Sequence, residues 1–148
     1  MYKRILVPVD GSNTSDVAMR EATKLASDRK AELRIVHVIE DFVPMWDVEF
    51  PNINEIREAL RQTGQQILAK AEAAARDAGI KVETRLIEST PPGARIASVI
   101  ATEAGAWPAD LIAIGTHGRR GVDHLLMGSV AEGVVRQSPV PVLLIRGR

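Results

Sequence analysis

The sequence predicts a doubly wound α/β fold, with a five-stranded parallel sheet and four helices on its two faces. Three observations carry this expectation. Short apolar runs alternate with segments of helical periodicity along the chain. Hydrophobic residues make up 45% but aromatic ones only 3%, so the core is aliphatic, the mix that parallel strands buried on both faces require. The length, 148 residues, suits one domain spanning 1–148 and suffices to bury a real core.

The first strand is the apolar run Arg4 to Val9, ended by the turn chemistry of Asp10-Gly11-Ser12. Ser12 or Thr14 can cap a helix in which Ala18, Ala22, Leu25 and Ala26 recur up to Ser27. Leu33 to Ile39 is the second strand, with Arg34 near its start. Glu40 to Asn52 holds Pro44 and Pro51 together with Phe42, Trp46 and Phe50. It is longer than the usual connection in a compact domain, which marks it as functional or mobile. A long helix follows, with Ile56, Leu60, Ile67, Leu68 and Ala71 as its apolar stripe and Gly79 as its stop. Gly64 inside it costs ~1 kcal/mol relative to Ala.

Val82 to Ile87 is the third strand, and Ser89-Thr90-Pro91-Pro92-Gly93 a stiff turn. A short helix carries Ile96, Val99 and Ile100, and Leu111 to Ile114 is the fourth strand. A glycine-rich loop runs from Gly115 to Gly128. Ser129 to Gln137 is helical, with Val130 and Val134 on one face, and Pro141 to Ile145 is the fifth strand. The alternation implies right-handed crossovers.

Composition excludes several classes. Nineteen Lys and Arg balance nineteen Asp and Glu, against a nucleic-acid binder driven by counterion release and against a polybasic membrane anchor. With no cysteine there is no disulfide, no thiolate nucleophile and no Cys-ligated zinc. The apolar run at the N-terminus is short and broken by Pro8, unlike a signal peptide, and no stretch approaches the roughly 20 apolar residues that span a bilayer. A soluble cytoplasmic protein is expected.

Open parallel sheets bind ligands beyond the carboxyl ends of their strands, where the strand order reverses. Two segments stand at such ends: Asp10-Gly11-Ser12, and Gly115-Thr116-His117-Gly118 running on to Met127-Gly128-Ser129-Val130. An order of 3-2-1-4-5, which composition does not supply, puts both on one crevice. Glycines admit close backbone approach, and a helix start offers unpaired N–H groups to an anion. Ser129 adds a hydroxyl that caps the helix or meets a phosphate oxygen. A plain surface loop before a capped helix is the alternative, and the spacing matches neither the dinucleotide fingerprint nor a P-loop.

Gly115-x2-Gly118-x9-Gly128-Ser129 resembles the ATP-binding signature of the universal stress protein family, UspA-like. The segments Ile5 to Ser12, His37-Val38-Ile39 and Ser138 to Ile145 resemble that family's first strand and turn, second-strand end and closing segment. The resemblance implies a Rossmann-like fold of the adenine nucleotide alpha hydrolase type. It implies ATP or another adenine nucleotide as ligand, with Mg²⁺ as a possible companion. Pro8 and Val9 would line the nucleotide's edge, and Asp10 would sit by the ribose or a phosphate-bound metal. Val38 would meet adenine through its backbone. Gly115, Gly118, Gly128, Ser129 and Val130 would hold ribose and phosphates. The resemblance also implies a homodimer through the last strand and a nucleotide-dependent regulator of the stress response. A slow ATPase or self-phosphorylating enzyme, and an interaction module with incidental nucleotide, are the alternatives. Asp10 as a turn residue and Val38 as core remain open at this point.

Other residues draw less weight. His37, His117 and His124 are too scattered for a metal cluster, and His37 reads as a packed strand-end histidine. Arg119 and Arg120 reach a polyphosphate or form a solvated rim. Trp46 and Phe50 lid the nucleotide, face a partner or pack on the domain, and Met127 packs.

Overall fold

A computed structural model describes residues 2–40, 53–89, 95–117 and 127–147. In chain order these form β1 (Arg4–Pro8), α1 (Asn13–Arg29), β2 (Glu32–Glu40), α2 (Ile53–Asp77), β3 (Val82–Ser89), α3 (Ile96–Ala106), β4 (Leu111–Gly115), α4 (Ser129–Gln137) and β5 (Val142–Ile145). All strand pairs are parallel, and the sheet order is β3-β2-β1-β4-β5, the order that brings both glycine-bearing strand ends to one crevice.

Residues alternate between the faces of a strand, and both faces are buried. Ile5, Val7, Leu33, Ile35, Leu111 and Ala113 join Ala18, Ala22 and Leu68 on the α1/α2 side. Leu6, Val36, Ile112 and Ile114 join Ala97, Ile100 and Val134 on the α3/α4 side. The two helices of the α3/α4 layer approach closely where a side chain is missing. A Cβ on Gly133 of α4 would lie 2.6 Å from the Ala97 Cβ of α3, so glycine sets how near these two helices come.

Ser12 is the N-cap of α1, its Oγ accepting the Ser15 N–H at 3.1 Å. The helix runs past Ser27 to Arg29 and is closed by Lys30 at φ 53°, whose N–H donates to Ala26 O and Ser27 O. Gly79, at φ 77°, terminates α2 as expected, with Ile80 N–H returning to Ala75 O at 3.1 Å.

The expected stripe of α2 needs correction. Leu68 is buried and Ile67 and Ala71 pack on the core, but Ile56 is 49% exposed and Leu60 39%. A helix of 25 residues is about 37 Å long. The eight residues of β3 span only about 26 Å. The first turns of α2 therefore outrun the sheet. Among the described residues no helix is long and apolar enough to cross a membrane. Glu40 to Asn52 lies, past its first residue, outside the described residues, and so does the turn after Ser89.

Candidate functional site

The order of the sheet reverses between β1 and β4, and the strands part there. The β1–β2 register continues to Pro8↔Val36, while the β1–β4 register stops at Leu6↔Ile112. Pro8 supplies a reason. Backbone groups of alternate residues point to alternate neighbours, and Asp110 N–H donating to Arg4 O shows that even-numbered residues of β1 face β4. Pro8 thus sits where its N–H would face β4, and it has none to give. A crevice opens beyond that point.

Its β1 lip is a self-bonded turn. Gly11 adopts φ 83°, which an L side chain resists. Asp10 Oδ1 accepts the Ser12 N–H at 2.9 Å, and the Asp10 N–H donates to Ser15 Oγ at 3.1 Å. The buried Ser15 hydroxyl ties the end of β1 to the first turn of α1. Asp10 is therefore a turn residue by its contacts, and its carboxylate is fixed at the lip.

The β4 lip is Gly115-Thr116-His117. Thr116 N–H donates to Ile145 O at 2.9 Å, and its carbonyl accepts the Gly128 N–H at 2.7 Å. The first bond ties the end of β4 to β5, and the second seats the start of α4 beside it. Thr116 Oγ1 and His117 Nδ1 lie 2.9 Å apart. Gly128, not Ser129, is the N-cap of α4, and no side chain bonds that cap; Ser129 is the exposed first helical residue and Val130 is half-buried. Gly115 has a reason of its own to be glycine. A Cβ there would stand 2.6 Å from Thr14 Cγ2 and 3.2 Å from the Thr14 carbonyl oxygen, so its absence admits α1 against β4. The same Thr14 faces Gly147 beyond β5, a glycine the sequence did not single out.

The N-termini of α1 and α4 thus flank the crevice, each presenting a positive dipole end. The third wall is β2. Val9 N–H donates to Val36 O at 2.8 Å, so Val36, and with it Val38, turns its backbone toward the β1 side. Val38 lies past the last paired residue of β1. Its N–H and C=O point over the end of that strand, while its side chain packs on the α3/α4 core. The side chain of Val38 is thus packed on the core, and its main chain turns to the crevice.

Of the predicted site residues, Pro8, Val9, Asp10, Val38, Gly115, Gly128, Ser129 and Val130 come to the carboxyl end of the central strands. Gly118, Arg119, Arg120 and His124 lie outside the described residues, as do Trp46 and Phe50. Sequence reasoning missed Ser15 and the contact of His37, whose Nδ1 is 2.8 Å from the Val9 carbonyl oxygen. Ser15 follows the Ser12 cap by three residues, a spacing that could have flagged it.

The universal stress protein family model matches residues 1–146. The chain is 33% identical over 153 residues to universal stress protein MJ0531 of Methanocaldococcus jannaschii, an alignment covering 99% of this chain and 83% of that one. Universal stress protein UspA from Lactobacillus plantarum superposes with a TM-score of 0.85 at 25% identity, over 98% of each chain. The universal stress protein from Archaeoglobus fulgidus in complex with dAMP gives 0.69 at 26% identity, over 97% of this chain and 98% of that one. The match along nearly the whole length, the shared strand order and these identities place the chain in one family: it belongs to the universal stress proteins.

Proposed function

We propose that this chain binds an adenine nucleotide in the crevice between β1 and β4 and serves as a nucleotide-dependent regulator in a stress response. The observation that carries the reading is the early end of the β1–β4 ladder, at Leu6↔Ile112, with two helix N-termini turned on the gap. That is the place where open α/β sheets take ligands, and it offers main-chain donors to an anion. The dAMP held by the Archaeoglobus fulgidus relative supports an adenine base and a phosphate as the ligand class.

On this reading Pro8 and Val9 line the base and ribose. The Val38 N–H and C=O make a donor–acceptor pair suited to the acceptor N1 and donor N6 of adenine. Gly115, Gly118, Gly128, Ser129 and Val130 hold ribose and phosphates, with the first N–H groups of α4 aimed at the anion. The signature Gly115-x2-Gly118-x9-Gly128-Ser129 favours ATP. The fixed carboxylate of Asp10 is a hard oxygen donor of the kind Mg²⁺ accepts, and the ion would offset polyphosphate charge there.

The protein would act in the cytoplasm as one domain and as a homodimer through β5. That edge strand carries Leu143 and Leu144, 39% and 37% exposed, and an apolar edge favours pairing. Phosphate release no faster than in a Gly128→Trp control is expected.

The test is to denature purified protein, identify released nucleotide by chromatography, and titrate stripped protein with ATP and Mg²⁺ by calorimetry. Released adenine nucleotide, or binding lost in Gly128→Trp, supports the reading. No released nucleotide and no heat with ATP, ADP, AMP or cAMP overturns it.

A further inference from the structure

We infer that His37 is a positioning residue of the crevice: its imidazole takes the Val9 carbonyl and so keeps the Val38 main chain turned to the ligand rather than to β1. The inference rests on the nucleotide reading above for its purpose, and on hydrogen-bond geometry for its substance.

In a parallel ladder a residue facing its neighbour donates its N–H to one residue of the partner strand and accepts at its C=O from the residue two further on. Val9 N–H donates to Val36 O at 2.8 Å. The next bond of a continued ladder would run from Val38 N–H to Val9 O. His37 Nδ1 occupies that acceptor instead, at 2.8 Å. A carbonyl only accepts, so Nδ1 carries the proton. The ladder is thereby stopped one bond short, at the residue whose backbone faces the crevice.

The imidazole lies on the α1/α2 face, between β2 and α2, and its seat there is made by a glycine. A Cβ on Gly64 would stand 2.9 Å from His37 Cδ2 and 2.7 Å from Leu86 Cδ1. Gly64 costs helix propensity in α2, and this close approach is what the cost obtains. His37, Gly64 and Leu86 thus form one packed unit between β2, β3 and α2.

The experiment compares His37→Leu, which removes the donor, with His37→Asn, whose amide N–H stands near the place of Nδ1. Amide hydrogen exchange at Val38, followed by NMR on protein stripped of nucleotide, reads the geometry without any ligand. Val38 is expected to exchange at least tenfold more slowly in His37→Leu, because its N–H closes the ladder onto Val9 O, and to keep its wild-type rate in His37→Asn. Calorimetry with AMP then reads the purpose. At least tenfold weaker binding is expected in His37→Leu, and recovery to within about threefold of wild type in His37→Asn. Unchanged Val38 exchange in His37→Leu overturns the inference whether or not nucleotide binds. Altered exchange with no AMP binding in the wild type leaves His37 holding the ladder open and overturns the nucleotide reading alone. Equal AMP affinity in all three proteins contradicts the positioning role.

Discussion

The two ends of the sheet are made of different chemistry. Where the strands begin, charge closes the structure. Glu103 of α3, 6% exposed, receives Arg34 of β2 at 2.7 Å and Arg85 of β3 at 2.9 Å. The Arg34 guanidinium stacks 4.9 Å from the Trp107 ring centre, and the Asp110 carboxylate accepts the Lys3 and Arg4 N–H groups at 2.8 and 3.0 Å. Burial pulls the Arg34 pKa down, but its bonds to Glu103 and Glu83 together outweigh that and hold it raised. Where β1 and β4 end, the parts are mostly glycines, hydroxyls and main-chain groups, Gly11, Ser12, Ser15, Gly115, Thr116 and Gly128, with Asp10 and His117 bonded to that turn chemistry. Charges committed to one another hold a fold, whereas polar main chain at a strand end leaves room for a ligand. Stability and binding should therefore separate along the strand axis.

The sharpest way to break that comparison is Glu103→Ala. It takes from Arg34 and Arg85 the buried carboxylate they share and leaves Arg34 paired with Glu83, a loss of charged hydrogen bonds that costs about 2 kcal/mol. Urea denaturation should show this loss while the affinity for adenine nucleotide stays within about twofold of wild type. A large affinity loss in protein that is still folded would mean the two ends are coupled.

Ser15→Ala works at the other end. It leaves the Asp10 N–H without its hydroxyl acceptor and should cost about 1 kcal/mol in the same titration. Here the affinity should fall by more than the stability change explains, because the Asp10 lip loses its tie to α1. Calorimetry on folded Ser15→Ala checks this.

The smallest effect lies at the end of β3, where Arg61 of α2 pairs with Glu88 on the surface. The bond from Arg61 holds the Glu88 carboxyl below its ordinary range. A depressed carboxylate contributes stability above its unfolded pKa and loses it as pH falls through the folded pKa. Arg61→Met should thus be slightly less stable than wild type at neutral pH and converge with it in acid, by thermal melting across that range. Both partners are exposed, so the difference should be small.

Much of this architecture could be read in the residues. Ile5, Val7, Leu33, Ile35 and Ile112 lie in apolar runs long enough for strands and too short for helices, and all of them are core. The strand ends that border the crevice were legible through Asp10-Gly11-Ser12 and Gly115. Contacts that depend on how elements meet were not. Ile56 and Leu60 fit the helical period but stand exposed, beyond the part of α2 that packs on the core. Gly64 stood out only as a cost until His37 and Leu86 were seen against it. Gly115 was read as a ligand glycine, yet its nearest reason is Thr14. Periodicity reports which face is apolar; it does not report which backbone passes within 3 Å.

The most direct test of the account is an NMR titration of isotope-labelled, nucleotide-stripped protein with AMP. The account predicts shifted resonances at Val9, Asp10, Val38, Gly115, Ser129 and Val130, with Arg34, Glu103, Trp107 and Asp110 unmoved. Shifts clustered at the charged end, or no shifts at saturating AMP, would contradict it.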